Sequence, residues 1–95
     1  MANVSVGATA TEIVSTAKTT PFRTAVWIYN NEDTTTMYWG LDNTVTASNG
    51  MPLKAGDEVI IGPDLVDANL LYRGAIYGIV SGGTADIRYL EFFKS

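Results

Sequence analysis

The 95-residue chain contains no cysteine and no histidine. Disulfide bonds are therefore excluded, and so are the cysteine and histidine ligands that hold most structural zinc ions. The same absence removes the usual general base, the thiol nucleophile and every Ser-His-Asp triad. We expect no enzymatic activity, no cofactor and no metal. A domain this small gains little stability from its core, so association of several copies is the stabilising device that remains.

Positive charge is also scarce, with six lysine and arginine residues against ten aspartate and glutamate residues and a formal net charge of −4. This balance opposes binding to nucleic acid or to an anionic membrane. The N-terminal sequence has neither the basic region nor the apolar run of a signal peptide, and no later run is long enough to cross a bilayer. We therefore expect a protein that is made in the cytoplasm and is not secreted by a signal peptide.

Short β-strands separated by turns are predicted along almost the whole chain. In residues 24–30, TAVWIYN, side chains that alternate across a strand place Val26 and Ile28 on one face and Trp27 on the other. The one segment with helical character is residues 64–70, as a loop with a short helical turn. Other predicted strands include residues 10–17, 35–41, 57–62, 70–82 and 86–93.

Seven or eight such strands and no amphipathic helix predict a single all-β domain over residues 1–95. The expected fold is an antiparallel β-sandwich or a small jelly-roll-like barrel. An extended N-terminal arm over residues 1–9 and a C-terminal tail over residues 92–95 are expected to flank it.

Turn chemistry sets the expected strand register. The pair Asn49-Gly50 is a strong hairpin signal, and Gly56 lies in a second turn, Ala55-Gly56-Asp57. Pro52 lacks an amide proton, so it should lie at a sheet edge or in a loop. The last turn is predicted to be a hairpin at Gly82-Gly83.

Candidate chemical sites are few, and each has a simpler structural explanation. The carboxylate pairs Glu32-Asp33 and Asp57-Glu58 would suit glycoside hydrolysis, but both lie in or beside predicted turns, where neighbouring side chains point apart. Oxygen ligands in residues 64–69 lack the full set and the closing glutamate of a calcium loop. We interpret all of these residues as solvated turn and loop positions.

The ten aromatic side chains are more than one small core can bury. Some are expected at an interface, because tyrosine and tryptophan offer a large contact area with a polar group. The alternative is a carbohydrate-binding module that stacks Trp27, Trp39 and Tyr38 against sugar rings. The residues expected at the interface are Trp27, Tyr29, Tyr38, Trp39, Phe92 and Phe93.

Three stretches carry a resemblance to a known family: VSVGATA at residues 4–10, GLDNTVTASNGMPLKAGD at residues 40–57 and YGIVSGGTADIRYLE at residues 77–91. In these stretches the chain resembles small all-β proteins and domains of tailed-bacteriophage virions, of the head decoration (cement) or head-fibre type. Residues 62–75 do not match that pattern.

The resemblance implies a structural component of the virion, in the head or in the tail, without enzymatic activity. The leading hypothesis is a capsid decoration protein that self-associates, with a trimer as the first expectation and a dimer as the second. Its partner would be the major capsid protein or another virion protein. The carbohydrate-binding alternative would then be an adhesion module of the virion.

Overall fold

All the regular structure that the computed structural model describes, over residues 2–16, 22–61 and 74–94, is β-strand. Each strand is short, and most are bounded by glycine, asparagine, aspartate or threonine, as the sequence predicts. The strands are β1 (Ala2–Val6), β2 (Thr11–Val14), β3 (Phe22–Asn30), β4 (Met37–Gly40), β5 (Met51–Leu53), β6 (Glu58–Ile61), β7 (Ile76–Ile79) and β8 (Ala85–Lys94).

The strands form two four-stranded antiparallel sheets, sheet 1 in the order β1-β8-β3-β6 and sheet 2 in the order β2-β7-β4-β5. The first half of the chain thus pairs with the second half as one long hairpin would: β1 with β8, β2 with β7, β3 with β6 and β4 with β5. The further pairs β3·β8 and β4·β7 wrap that hairpin into two sheets. This is the arrangement of an eight-stranded jelly roll, so the predicted fold is confirmed.

The core lies between the inner faces of the two sheets. On β3, Val26 and Ile28 are buried, while Trp27 and Tyr29 between them are only partly covered, as the alternation predicts. The buried cluster draws on both sheets and consists of Val6, Ile13, Val14, Val26, Ile28, Met37, Leu53, Ile76, Val80, Ala85 and Ile87.

A register shift in β2 changes which of its residues reach the core. Regular alternation would place Ile13 and Val14 on opposite faces, yet both are buried. The pairing with β7 is irregular between Glu12 and Val14, and such a bulge turns two successive side chains toward the same side. Ile13 and Val14 therefore both reach the core.

The chain ends also differ from the expected arm and tail. Residues 2–6 are not an arm, because they form β1 and pair along their whole length with β8 at the edge of sheet 1. Residues 92–94 are not a tail, because β8 continues through them and pairs with the start of β3. In β1 the polar Asn3 and Ser5 alternate with Val4 and Val6, a pattern typical of a half-exposed edge strand.

A long strand is predicted at residues 70–82, but the part of this range that the structure describes contains a shorter strand. Within residues 74–82, β7 covers Ile76–Ile79. Gly78 has the close neighbour that a strand glycine often signals, since a Cβ there would lie 2.7 Å from Met37 Sδ and 2.9 Å from Ile13 Cδ1. The predicted helical turn at residues 64–70 lies outside the described residues.

The Asn49-Gly50 pair does not form the two-residue hairpin that it predicts. The link from β4 to β5 spans the ten residues 41–50, and the φ angle of Gly50 is not positive. Asn49 instead closes the end of this loop, because its Oδ1 accepts from the Thr46 amide at 2.7 Å. Glycine is needed at position 50 for space: a Cβ there would lie 2.8 Å from Tyr38 Cβ and 3.0 Å from Thr46 O.

The second predicted turn is confirmed. The Asp57 amide donates to Lys54 O at 2.9 Å, and Gly56 has φ of 80°, the left-handed value that the third position of a type II turn requires. The Gly56 amide also donates to the carbonyl of buried Asn30 at 2.9 Å. Because the Asn30 amide in turn donates to Asp57 O, this turn aligns β6 with the end of β3.

The two remaining turn predictions have different outcomes. Pro52 lies in β5, the edge strand of sheet 2, as predicted. Gly82 and Gly83 do bend the chain, but they link β7 of sheet 2 to β8 of sheet 1, so the predicted hairpin at this point is wrong. A hairpin would join neighbours in one sheet, whereas this jelly roll requires a crossing between sheets.

Candidate interaction surface

One face of sheet 1 turns away from the core and carries large apolar side chains. Because Val26 and Ile28 point inward, the alternate residues of β3 point outward, and residues directly paired across strands share their face. We call this surface the sheet-1 outer face. It comprises Ala25, Trp27, Tyr29, Glu58, Ile60, Arg88, Leu90 and Phe92, with Asn3, Ser5 and Asp86 at its margin on the β1 side.

An apolar row crosses the centre of this face. Trp27 on β3 pairs with Ile60 on β6 and with Leu90 on β8. Ile60 is 61% exposed and Leu90 is 38% exposed. Beside this row, Phe92 pairs with Ala25 and is 42% exposed. A contiguous apolar patch on a sheet face marks an interaction surface more often than single exposed apolar residues do.

A charged row borders the apolar row on the same face. Tyr29 pairs with Glu58 on one side and with Arg88 on the other, and both charged residues are exposed. The tyrosine thus lies between an acid on β6 and a base on β8. Arg88 also makes an ion pair with Asp86 in its own strand, with Nη2 3.3 Å from Oδ2.

A buried arginine sets the geometry at the far end of this face. Arg23 has no exposed surface, and its Nη1 donates to Ser15 O at 2.9 Å and lies 3.4 Å from Glu91 Oε2. Its Nη2 donates to Gly74 O. The guanidinium therefore connects β3 and β8 of sheet 1 with the chain just after β2 and just before β7, which are strands of sheet 2.

A β-bulge next to Arg23 directs the aromatic end of β8. The pairing shifts so that Arg23 faces Phe93 and Ala25 faces Phe92, which leaves Thr24 as the extra residue. Thr24 Oγ1 donates to Phe92 O at 3.1 Å. Successive side chains of β8 point to opposite faces, so Phe92 lies on the sheet-1 outer face and Phe93 on the side of Arg23.

Three of the six aromatic residues expected at an interface lie together on the sheet-1 outer face: Trp27, Tyr29 and Phe92. The other three are elsewhere. Trp39 packs against the core, Tyr38 lies in sheet 2 between Ile79 and Pro52, and Phe93 points to the opposite side of β8. The carbohydrate-binding set of Trp27, Trp39 and Tyr38 is therefore not brought onto one face.

Sequence reasoning missed four residues that complete the face: Glu58, Ile60, Arg88 and Leu90. The alternation in residues 86–93 does place Arg88, Leu90 and Phe92 on one side of β8. Nothing local indicates that β6 lies on the other side of β3, because that pairing joins segments about thirty residues apart. Ile60 is exposed and Ile61 beside it is half-buried. If the pairing of β6 with β3 had been known, the alternation in β6 would have placed Ile60 on this face.

A polar cluster lies at the other end of sheet 1. The Asn31 side chain donates to Asp86 Oδ2 at 3.0 Å and is the main reason why the pKa of the Asp86 carboxyl lies below its ordinary value. The positive charge of Arg88 lowers it further. Glu32 Oε2 accepts from the Asp86 amide at 2.8 Å. Glu32 thus has a structural role here, next to Asp33 in the turn after β3.

No other type of site is found in the part of the chain that the structure describes. Residues 2–16, 22–61 and 74–94 enclose no cavity and contain no cluster of three metal-ligating side chains. They contain no helix long and apolar enough to span a bilayer. Comparison with models of known protein families, with curated proteins and with solved structures finds no match to this chain.

Proposed function

We propose that this protein is a structural component of a tailed-bacteriophage virion, a capsid decoration protein that self-associates and binds the capsid shell to stabilise it. The observation that carries the proposal is the sheet-1 outer face, where exposed Ile60, Leu90 and Phe92 form an apolar patch around half-buried Trp27. The resemblance of residues 4–10, 40–57 and 77–91 to virion proteins supplies the type of assembly.

The patch is suited to binding because it lies on a rigid support. Its β3 and β8 residues belong to the two longest strands, of nine and ten residues, which pair with each other along most of their length. Little backbone freedom remains to be lost on binding, so more of the gain from apolar burial is retained as affinity. Jelly rolls also occur in viral capsid proteins, which is consistent with the proposal without selecting it.

Many weak contacts would suffice for this function. A shell offers many equivalent sites, and copies that bind the shell and one another are retained through avidity. The net charge of −4 would favour docking on a basic surface of the shell. Decoration would then raise the heat stability of the shell, because a ligand that binds the assembled state stabilises it.

The test is to mix purified protein with undecorated capsid shells, pellet the shells and measure both the retained protein and the temperature of shell disruption. We expect saturable retention and a higher disruption temperature. Shells that already carry their full set of decoration protein are the control and should retain little. Absence of retention together with an unchanged disruption temperature would overturn the proposal.

The carbohydrate-binding alternative stays a prediction. The separation of Trp39 and Tyr38 from Trp27 leaves it without the shared aromatic platform that it assumed. Titration of a glycan panel while tryptophan emission is followed distinguishes the two functions. The decoration proposal predicts no saturable shift, whereas a saturable shift with one glycan class would favour the alternative.

A further inference from the structure

In its two central rows, the sheet-1 outer face carries apolar side chains on both sides of β3 in one row and charges of opposite sign on the two sides in the other. Taking β3 as the midline, Trp27 lies on it, with Ile60 on one side and Leu90 on the other. In the next row Tyr29 lies on the midline, with acidic Glu58 on the side of Ile60 and basic Arg88 on the side of Leu90. The apolar row is therefore balanced about β3, and the charged row reverses sign across it.

A surface with this pattern is complementary to itself. We infer that two copies of this chain pair face to face through their sheet-1 outer faces. The twofold axis runs parallel to β3, midway between the two faces. This inference rests on the proposed self-association. Rotation about such an axis keeps each residue at its level along the strand and exchanges the two sides. It places Ile60 over Leu90 of the second copy, and Glu58 over its Arg88.

The spacing of β-sheets suits these contacts. Neighbouring strands lie about 4.8 Å apart and packed sheets about 10 Å apart, so Glu58 and Arg88 stand roughly 5 Å to either side of β3, and the Glu58 backbone of one copy faces the Arg88 backbone of the other across about 10 Å. Their long side chains then meet between the sheets at both ends of the charged row. A guanidinium has five N–H donors, so Arg88 can keep Asp86 and still bind a carboxylate of the second copy.

The charges select this axis over the other in-plane axis. A twofold axis across the strands would place the charged row of one copy over the row of Ala25 and Phe92 in the other. Glu58 and Arg88 would then meet no opposite charge, at a cost in desolvation. A three-fold ring differs again, because its contacts join two different patches of each copy rather than one patch with itself.

The size of the face predicts how strong the pairing is. Nine residues of β3 span about 30 Å, and the three strands that overlap about this axis, β6, β3 and β8, span about 14 Å, which gives at most roughly 420 Å² for each copy. The total of roughly 840 Å² lies below the value of about 1,200 Å² at which stable interfaces begin, in the range of weak and transient pairs. We therefore expect a dimer that dissociates at micromolar concentration and becomes firm when many copies are held on one surface.

The test uses charge reversal and mixing. Sedimentation velocity of the wild-type protein from about 1 to about 300 µM should show a monomer–dimer equilibrium. Glu58→Arg opposes two arginines at both contacts of the dimer, and Arg88→Glu opposes two glutamates. Each variant alone should dimerise at least about tenfold more weakly than the wild type.

An equimolar mixture of the two variants is the decisive sample. In a mixed dimer, both charged contacts again join an acid to a base, so association should recover to near the wild-type level. Because each chain keeps its own substitution, recovery cannot come from an effect within one chain. Thermal unfolding of each variant at low concentration checks that the monomer remains folded, since Glu58 and Arg88 are both exposed.

A monomer at all concentrations, a trimer, or a mixture that fails to recover would overturn the face-to-face pair. The shell-binding assay fails independently. A protein that dimerises as described but is not retained by shells would keep the pairing and remove the decoration function. A protein that is retained by shells but stays monomeric in solution would keep the shell-binding function and remove the pairing.

Discussion

The two sheets of this jelly roll contribute in different ways. In sheet 1, β3 and β8 are nine and ten residues long, and apolar side chains stand exposed on the outside. In sheet 2 every strand has three or four residues, and Tyr38, Tyr77 and Ile79, between the core-facing positions, are half-buried. Sheet 2 closes the core and exposes Met51 at its edge strand, whereas sheet 1 also presents a patch of several neighbouring apolar side chains that the isolated chain leaves uncovered.

The contrast indicates where a substitution should leave the stability of the fold nearly unchanged. Strands as short as β4 and β5 depend on close packing, so a change beneath them should affect stability. The sheet-1 outer face lies on well-paired strands, so a change there should affect association and leave stability nearly unaltered. Substitutions at Arg23, Gly78, Gly56 and Asp86 test this division, with an expected loss of stability that decreases in that order.

The largest effect is expected at Arg23, which connects the two sheets. In Arg23→Met the carbonyls of Ser15 and Gly74 lose a donor and Glu91 loses its cation, so the free energy of unfolding should fall by about 3 kcal/mol or more. Urea unfolding at low protein concentration measures this. The matched control Arg88→Met removes an exposed ion pair and should cost less than about 1 kcal/mol. Equal losses at the two positions would show that Arg23 does not join the sheets.

The next effect is expected at Gly78 in sheet 2. Gly78→Val places a Cβ against Met37 and Ile13, and overpacking of this kind should cost about 1 to 3 kcal/mol. The control Gly82→Ala meets nothing within 4 Å and does not need a positive φ, so it should be neutral or slightly stabilising. Thermal unfolding of both variants checks the prediction. A Gly78→Val protein as stable as the wild type would mean that β7 lies further from β4 and β2 than described.

A smaller effect is expected at the turn before β6. Gly56→Val forces a β-branched residue into φ near 80°, which should cost about 1 to 2 kcal/mol and disturb the register of β6 against β3. Gly56→Asn should cost less, because asparagine tolerates the left-handed region. Unfolding curves for both variants, with amide exchange at Ile60 and Ile61, measure the cost and the register. Unchanged stability in Gly56→Val would contradict the turn geometry.

The smallest effect is expected at Asp86. Its pKa is lowered in the folded protein, mainly by the hydrogen bond from Asn31, so the ionised carboxylate is stabilising above the ordinary carboxyl pKa of about 4. That contribution is lost as the pH falls through the lowered pKa. Asp86→Asn should therefore be slightly less stable than the wild type at pH 7, and the difference should shrink in acid. A difference that grows below pH 4 would have the wrong sign. Unfolding at a series of pH values measures it.

Much of the fold was predictable because its signals are local. Alternation placed Val26 and Ile28 inside and Trp27 outside, and it ordered β8 in the same way. Positive φ at Gly56 and the edge position of Pro52 follow from the chemistry of single residues. The Asn49-Gly50 hairpin failed because packing against Tyr38, rather than turn geometry, requires glycine at position 50.

The candidate surface was only partly predictable because it depends on long-range pairing. Trp27, Tyr29 and Phe92 were expected at an interface from their residue types alone. Their apolar neighbours Ile60 and Leu90 come from distant segments and join them only through the strand order of a jelly roll. Burial of Arg23 was also not predictable, because arginine is usually exposed and its partners here are two backbone carbonyls and the carboxylate of Glu91, which is distant in sequence.

The central claim is that sheet 1, and not sheet 2, carries the interaction surface. The most direct measurement compares the association and shell retention of two double variants. Ile60→Lys with Leu90→Lys adds two charges to the sheet-1 outer face. Leu41→Lys with Met51→Lys adds two charges at the β4–β5 edge of sheet 2, where Leu41 follows β4 and Met51 begins β5, and these residues are 51% and 59% exposed. We expect the first variant to lose dimerisation and retention while the second keeps both. If the second variant lost dimerisation and shell retention while the first kept both, the claim would be contradicted.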